Sequence, residues 1–142
     1  MQGRKFVWGN EAKPELEGKK QANVADESGK KKFSGLIIFK DYDDGYAEFS
    51  PVGSFESNGF GLYDMTGNAG EWCSDWYGKY LEGPATDPQG PDSGADRVIR
   101  GGKYGSGPRY LRSAARYSYT PFNTSVVFGF RVVMEASERK SK

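Results

Sequence analysis

Asn58-Gly59-Phe60-Gly61-Leu62-Tyr63-Asp64-Met65-Thr66-Gly67-Asn68-Ala69-Gly70-Glu71-Trp72-Cys73-Ser74-Asp75-Trp76-Tyr77 is the stretch on which the fold turns. Its four glycines, its aromatic side chains and a tryptophan pair spaced by four rule out both a smooth helix and a plain strand. Gly67 and Asn68 tolerate backbone conformations that other residues avoid, so the stretch predicts a tight turn there. That turn feeds an aromatic strand over 71–77.

Outward from this run, the chain is punctuated rather than periodic. Twenty glycines and seven prolines imply many turns and little regular structure. Hydrophobic residues make up 36% and mean hydropathy is −0.75, both low for a packed domain, while aromatic residues reach 15%. Much of the buried area must therefore come from Phe, Trp and Tyr. At 142 residues the chain is expected to form one domain over 1–135, followed by a charged tail over 136–142. Residues 1–32 read as a polar, lysine-rich arm or loop, and Lys30-Lys31-Lys32 and Arg139-Lys140 as solvated. The apolar run Leu36-Ile37-Ile38-Phe39 reads as a strand or a buried loop. Asp41-Tyr42-Asp43-Asp44-Gly45-Tyr46 is turn chemistry. Short strands are expected over 61–63, 71–77, 97–101, 111–117 and 129–134, with a proline- and glycine-rich loop over 78–96. No helix gives a strong signal.

Twenty basic and 19 acidic side chains leave a net charge of +1, which gives no electrostatic reason to expect nucleic acid as partner. No apolar run approaches the length of a membrane span, so no membrane insertion is expected. The single cysteine, Cys73, excludes an intrachain disulfide and reads as a buried, inert thiol. Histidine is absent altogether, which removes the commonest general base and the commonest transition-metal ligand. No coiled-coil heptad specifies an oligomer.

A second stretch agrees with the first: Arg97-Val98-Ile99-Arg100-Gly101-Gly102, then Arg112-Ser113-Ala114-Ala115-Arg116, Pro121 and Phe128-Gly129-Phe130-Arg131. In order and spacing the two together resemble the formylglycine-generating-enzyme (sulfatase-modifying factor) family. The resemblance implies an α+β, C-type-lectin-like fold with short antiparallel strands, many loops and little helix. It runs from about Phe6-Val7-Trp8-Gly9 to Arg131. Family enzymes carry a longer N-terminal half, including a Leu-Pro-Thr-Glu-Ala-Glu-Trp-Glu segment ahead of the Trp-Gly motif, that has no counterpart here. The chain therefore reads as a reduced member or as the C-terminal part of a longer protein.

The family's copper-dependent oxidases carry two cysteines shortly after the Gly-Gly of the second stretch, where thiolates bind copper(I). Here that segment is Lys103-Tyr104-Gly105-Ser106-Gly107-Pro108-Arg109-Tyr110-Leu111, without cysteine. The iron-dependent sulfoxide synthases of the family use three histidines, and this chain has none. The resemblance thus implies no catalytic cofactor and no catalytic residues. A carboxylate pair among Asp64, Glu71 and Asp75 reads better as turn architecture. Two structural calcium sites of the family carry over by position. The first takes the side chains of Asn23 and Asp44 with the carbonyls of Val24 and Tyr46; the second takes Asn68 and Glu71. Gly70 departs from the family, which commonly has Trp there.

Residues 103–127 lie where the lectin-type fold exposes its ligand-binding face. Tyr104, Gly105, Ser106, Gly107, Arg109, Tyr110, Ala115, Tyr117, Ser118 and Tyr119 make up the expected binding set. Tyrosine brings a large rigid face at small entropic cost, serine and glycine adapt, and arginine anchors. Trp72 and Trp76 are expected beneath as rigid support. The palette also resembles the variable proteins of diversity-generating retroelements, in which such residues alternate with a fixed scaffold. The expected role is a non-catalytic module on a virion or cell surface that recognises a protein ligand or receptor in preference to a glycan. Two alternatives stay open: a pseudoenzyme or accessory fragment of a larger protein of this family, and an enzyme of new chemistry. The core-packing reading of Tyr110, Tyr117 and Tyr119 as ordinary strand aromatics also stays open, since a spacing of two fits either.

Overall fold

A computed structural model describes residues 3–134. The chain opens on a tight turn joining Phe6 and Gly9 and on a small hairpin, β1 (Glu15–Leu16) with β2 (Lys19–Lys20). A six-residue helix, α1 (Glu27–Lys32), follows. The main sheet comprises β3 (Gly70–Trp76), β4 (Arg97–Arg100), β5 (Tyr117–Tyr119) and β6 (Phe128–Phe130), in the order β5-β4-β3-β6. β4 runs antiparallel to both neighbours, and β6 runs parallel to β3.

The decisive stretch folds as its glycines dictate. Gly67 and Asn68 have φ of +79° and +59°, and the turn they make is pinned on both sides. Gly67 N donates to Gly101 O at 2.9 Å and Asn68 N to Asn23 O at 2.8 Å. The strand that follows matches expectation within one residue at each end. Gly70, the departure from the family pattern, has its own explanation: a Cβ there would lie 2.9 Å from Phe128 Cδ1 and 3.2 Å from Ile99 Cγ2. The missing side chain is the space that Phe128 fills.

Three expectations need correction. Residues 3–32 are more than a polar arm or loop: Phe6, Trp8, Ala22 and Val24 join Phe39, Tyr42 and Leu111 in the hydrophobic core. Phe6 and Trp8 stack with ring centroids 4.7 Å apart, and Phe39 meets both edge-on. Second, the lysine run is solvated as expected but belongs to a helix, not a loop. Buried Asp26 caps it by accepting from Gly29 N at 2.8 Å, and the lysines occupy its last turn, where positive charge suits the helix dipole. Third, residues 61–63 and 111–116 form no strand, and of the expected 111–117 only Tyr117 belongs to β5. The Asn58 side chain accepts from Phe60 N and Leu62 N to build a turn, and Leu111 is a buried plug after a 3₁₀ turn at Pro108–Tyr110. Residues 33–39 are a loop whose last residue, Phe39, is buried. β6 ends at Phe130, short of the expected 134. The charged tail over 136–142 lies outside the described residues.

No helix among the described residues is long and apolar enough to cross a membrane.

Candidate ligand-binding face

Cross-strand partners in a sheet share a face. The register pairs Trp72 with Ile99 and Phe130, Ile99 with Tyr117, Trp76 with Arg97, and Arg97 with Tyr119. Trp72, Trp76, Tyr117 and Tyr119 therefore stand on one side of the sheet. Tyr119 packs 6.2 Å from Trp72 and 5.2 Å from Phe128, whose rings are 5.8 Å apart. Tyr117 lies 5.3 Å from Tyr110 on the 3₁₀ turn. Both strand tyrosines are half-buried, and Tyr110 is exposed with Arg109 beside it. Burial pushes the Tyr117 phenol up from its ordinary value, so it stays a neutral donor and acceptor at physiological pH.

The edges of the face are held by arginines. Arg116 lies 3.8 Å from the Tyr80 ring and 4.8 Å from the Tyr77 ring, and donates to Gly78 O at 2.5 Å. This clamps the proline- and glycine-rich loop beside β5. Arg97 stacks 3.5 Å above Trp76 and donates to Ser74 O. Trp76 thus supports an arginine, not a tyrosine as expected. A cleft of about 440 Å³ opens beside Trp72, between Arg97, Pro121 and Asn123–Ser125.

Not every expected residue reaches this face. Ser106 and Ala115 are buried side chains, and Gly107 is buried backbone. Ser106 Oγ accepts from Lys103 N at 3.0 Å and its carbonyl accepts from Ala25 N at 3.1 Å, so it shapes a turn. A Cβ at Gly107 would collide with Ile37 O. Tyr104 belongs to a different aromatic group, stacked 6.2 Å from Phe33 and edge-on to Phe49 at 5.0 Å. Gly105 sits in the turn between the two. The structure adds residues that composition did not single out: Phe128 behind Tyr119, Tyr77 and Tyr80 around Arg116, and Phe33 and Phe49 around Tyr104. The partners of Tyr77, Tyr80, Phe33 and Phe49 lie far along the chain, so no local signal marks them.

The two expected calcium sites fare differently. Among the described residues no three His, Cys, Asp or Glu side chains cluster to hold a metal. Around the first site, Asn23 Oδ1 is buried and accepts no hydrogen bond, an orphan acceptor that a cation would satisfy. Asp44 is buried too, and its oxygens accept from Val24 N and Tyr46 N, both at 2.8 Å. Oxygen donors of this kind suit calcium, and Asn23 Oδ1 is the free donor of the expected set, both Asp44 oxygens being engaged by backbone N–H groups. The second site does not fit. Glu71 is taken by Arg131, with oxygen–nitrogen distances of 2.5 and 2.8 Å. Asn68 Oδ1 is used by Ser50 N and Asn23 Nδ2.

Burial, reinforced by the Asp26 carboxylate, pushes the Asp44 carboxyl up to about 7. The folded chain then holds a proton between about pH 4 and pH 7 that the unfolded chain releases, so this group's contribution is full below pH 4 and is lost as pH rises through 7. Urea midpoints of the calcium-free chain and of Asp44→Asn, compared from pH 4 to 8, test this. The advantage of the native chain over the variant should shrink with rising pH, and a constant or growing gap contradicts it. Calcium, which needs the ionised carboxylate, should reverse the trend.

Residues 1–136 match the sulfatase-modifying factor enzyme 1-like domain. The formylglycine-generating enzyme of Streptomyces coelicolor is 38% identical over 142 residues, covering 96% of this chain and 42% of that protein. The Bos taurus enzyme is 38% identical over 136 residues, covering 92% of this chain and 34% of its own length. Among solved structures, PvdO from Pseudomonas aeruginosa superposes with a TM-score of 0.60 at 30% identity, covering 86% of this chain and 44% of that one. Treponema denticola variable protein 1 gives a TM-score of 0.55 at 34% identity, covering 59% and 31%. The chain thus spans less than half the length of these relatives. Short strands, many loops and little helix agree with the C-type-lectin-like α+β class expected. The chain belongs to the sulfatase-modifying factor enzyme 1-like family, that of the formylglycine-generating enzymes.

Proposed function

We propose that this chain is a non-catalytic ligand-binding module that offers a tyrosine- and arginine-bearing sheet face to a protein receptor or surface ligand. The observation that carries the reading is the placement of Tyr110, Tyr117 and Tyr119. They are partly open to solvent, yet held laterally: Tyr119 packs against Trp72 and Phe128, Tyr117 pairs with Ile99, and Tyr110 leans on Tyr117. Rigid aromatics that need little ordering on binding are the most productive kind of contact. Likeness to a variable protein of Treponema denticola supports a diversified face; its display on a virion or cell surface is part of the proposal. Calcium at Asn23 and Asp44 would serve as a structural clip and not as a reactant.

Catalysis has little to build on in this segment. Residues 103–111 carry no cysteine. Cys73 stands on β3 instead, and burial raises its thiol away from the reactive thiolate form. The second reading, a fragment of a larger formylglycine-generating-enzyme-like protein, is favoured by the 42% coverage of the Streptomyces relative.

Sequencing this gene from many individuals of its source population tests the first reading. Codons for Arg109, Tyr110, Tyr117, Ser118 and Tyr119 are expected to differ between individuals while Arg100-Gly101-Gly102 and Gly129-Phe130-Arg131 stay fixed. Identity across 103–127 overturns the diversified face. Incubating the chain with copper(I) and a cysteine-containing peptide tests the non-catalytic half, and an aldehyde product found by mass spectrometry overturns it.

A further inference from the structure

A net charge of +1 conceals two strongly and oppositely charged parts. Residues 97–134 carry seven basic side chains and no acidic one, a net of +7; residues 1–96 carry ten basic and 17 acidic, a net of −7. Among the described residues, only Arg131 of the seven meets a carboxylate, that of Glu71. Arg97 and Arg116 turn instead to aromatic rings and to the backbone carbonyls of Ser74 and Gly78. Arg112 Nε donates to Arg109 O at 3.3 Å. Such contacts hold the guanidinium groups in place without neutralising them.

The topology gathers four of these charges around the tyrosines. Arg97 stands opposite Tyr119 in the register of β4 and β5, and Arg116 precedes Tyr117 at the start of β5. Arg109 precedes Tyr110 on the 3₁₀ turn. Arg109 and Arg112 are exposed, and both lie close enough to Tyr117 to pull its phenol back against the effect of burial. An aromatic centre inside a polar, arginine-bearing rim is the anatomy of a protein contact. A nucleic-acid strand would need a continuous basic track instead. The rim also contains a seat. Arg97 lines the cleft of about 440 Å³ beside Trp72, together with Asn123, Thr124 and Ser125. The Ser125 hydroxyl accepts from Val127 N at 3.4 Å, which leaves its own proton to donate. The Trp76 ring lies 3.5 Å from the Arg97 guanidinium and covers one of its flat sides, leaving in-plane N–H groups that suit a carboxylate.

We propose that the ligand of this face is an acidic protein surface that places an Asp or Glu carboxylate in the Arg97 cleft. The assignment rests on the ligand-binding reading and names the chemistry of its ligand. Arg97, Arg112 and Arg116 are not among the positions expected to vary, so the rim selects an acidic class while the tyrosines choose within it. Opposite charge also speeds encounter and disfavours basic partners.

The probe is a phage library of random peptides, panned on the immobilised chain at about 50 mM salt, where surface charge is little screened. Peptides that depend on the face, shown by weakened binding to Tyr110→Ala or Tyr119→Ala, should be enriched in Asp and Glu over the starting library. Arg97→Gln should weaken them by about 10-fold or more, the loss expected for a charged hydrogen bond. Arg112→Gln, on an exposed side chain, should weaken them by about 3-fold and keeps the test decisive if Arg97→Gln fails to fold. Lys30→Gln on α1 removes one charge from elsewhere and should change nothing. Face-dependent peptides without an acidic excess overturn the acidic assignment and leave the binding face standing. If no peptide is lost with either tyrosine, both fall. A single-stranded oligonucleotide that binds the same tyrosines more tightly than the selected peptides overturns it in favour of nucleic acid. A lone chain that dimerises through these arginines overturns it in favour of a second copy.

Discussion

Gly67→Ala should unfold most of the chain at ordinary temperature. A Cβ at this position would lie inside the contact radius of the Asn23 carbonyl oxygen, 2.9 Å from its carbon and 3.2 Å from Val24 Cγ1. The first two are backbone atoms of a fully buried residue, so no side chain can swing aside. The φ of +79° adds left-handed strain of about 1–2 kcal/mol. Overpacking adds roughly 1–3 kcal/mol, and displacing the Asn68 N to Asn23 O hydrogen bond about 1 kcal/mol more. A total of about 3–6 kcal/mol is a large part of the stability of a domain this size. Gly59→Ala is the control, since nothing lies within 4 Å of its Cβ and its φ is not positive. Urea unfolding should place Gly59→Ala within about 1 kcal/mol of the native chain. Gly67→Ala behaving like that control would show that the turn does not seat against Asn23.

The same turn shows how far the sequence could be read. Gly67-Asn68 and the strand after it were legible because their signals are local: permissive residues for the turn and an aromatic run for the strand. The spacing of Tyr117 and Tyr119 likewise puts both on one sheet face, and the register agrees. Ser106, Gly107 and Ala115 share the same composition as their neighbours but are buried. What buries Ser106 and Gly107 is backbone from residues 25 and 37, a distance along the chain that no window spans. The helix at Glu27–Lys32 has no apolar period because one turn and a half is too short to show one. Its Asp26 cap was the available cue. Glu71 looked like a calcium ligand because its motif position allowed it, and only the return of the chain at Arg131 claims its carboxylate.

The first 32 residues carry the largest lesson and a matching test. Their lysines and glutamates disguise a core element: a tight turn closed between Phe6 and Gly9 places the rings of Phe6 and Trp8 in the core. Trp8 stacks on Phe6 with an interplanar angle of 9°, meets Phe39 edge-on at 5.8 Å, and donates Nε1 to Glu11 O at 3.3 Å. Backbone pairing of Ser113 N with Lys5 O at 2.9 Å ties this turn to the segment that leads into β5. Trp8→Ala therefore empties the centre of the core and should cost about 3–5 kcal/mol. Trp76→Ala removes a ring of the same size from a half-buried position, with one stacked arginine, and should cost about 1–2 kcal/mol. Thermal melts of the two variants measure the ordering. If Trp76→Ala proved the more damaging, the sheet alone would hold the domain together and the opening residues would be the arm their charge suggests.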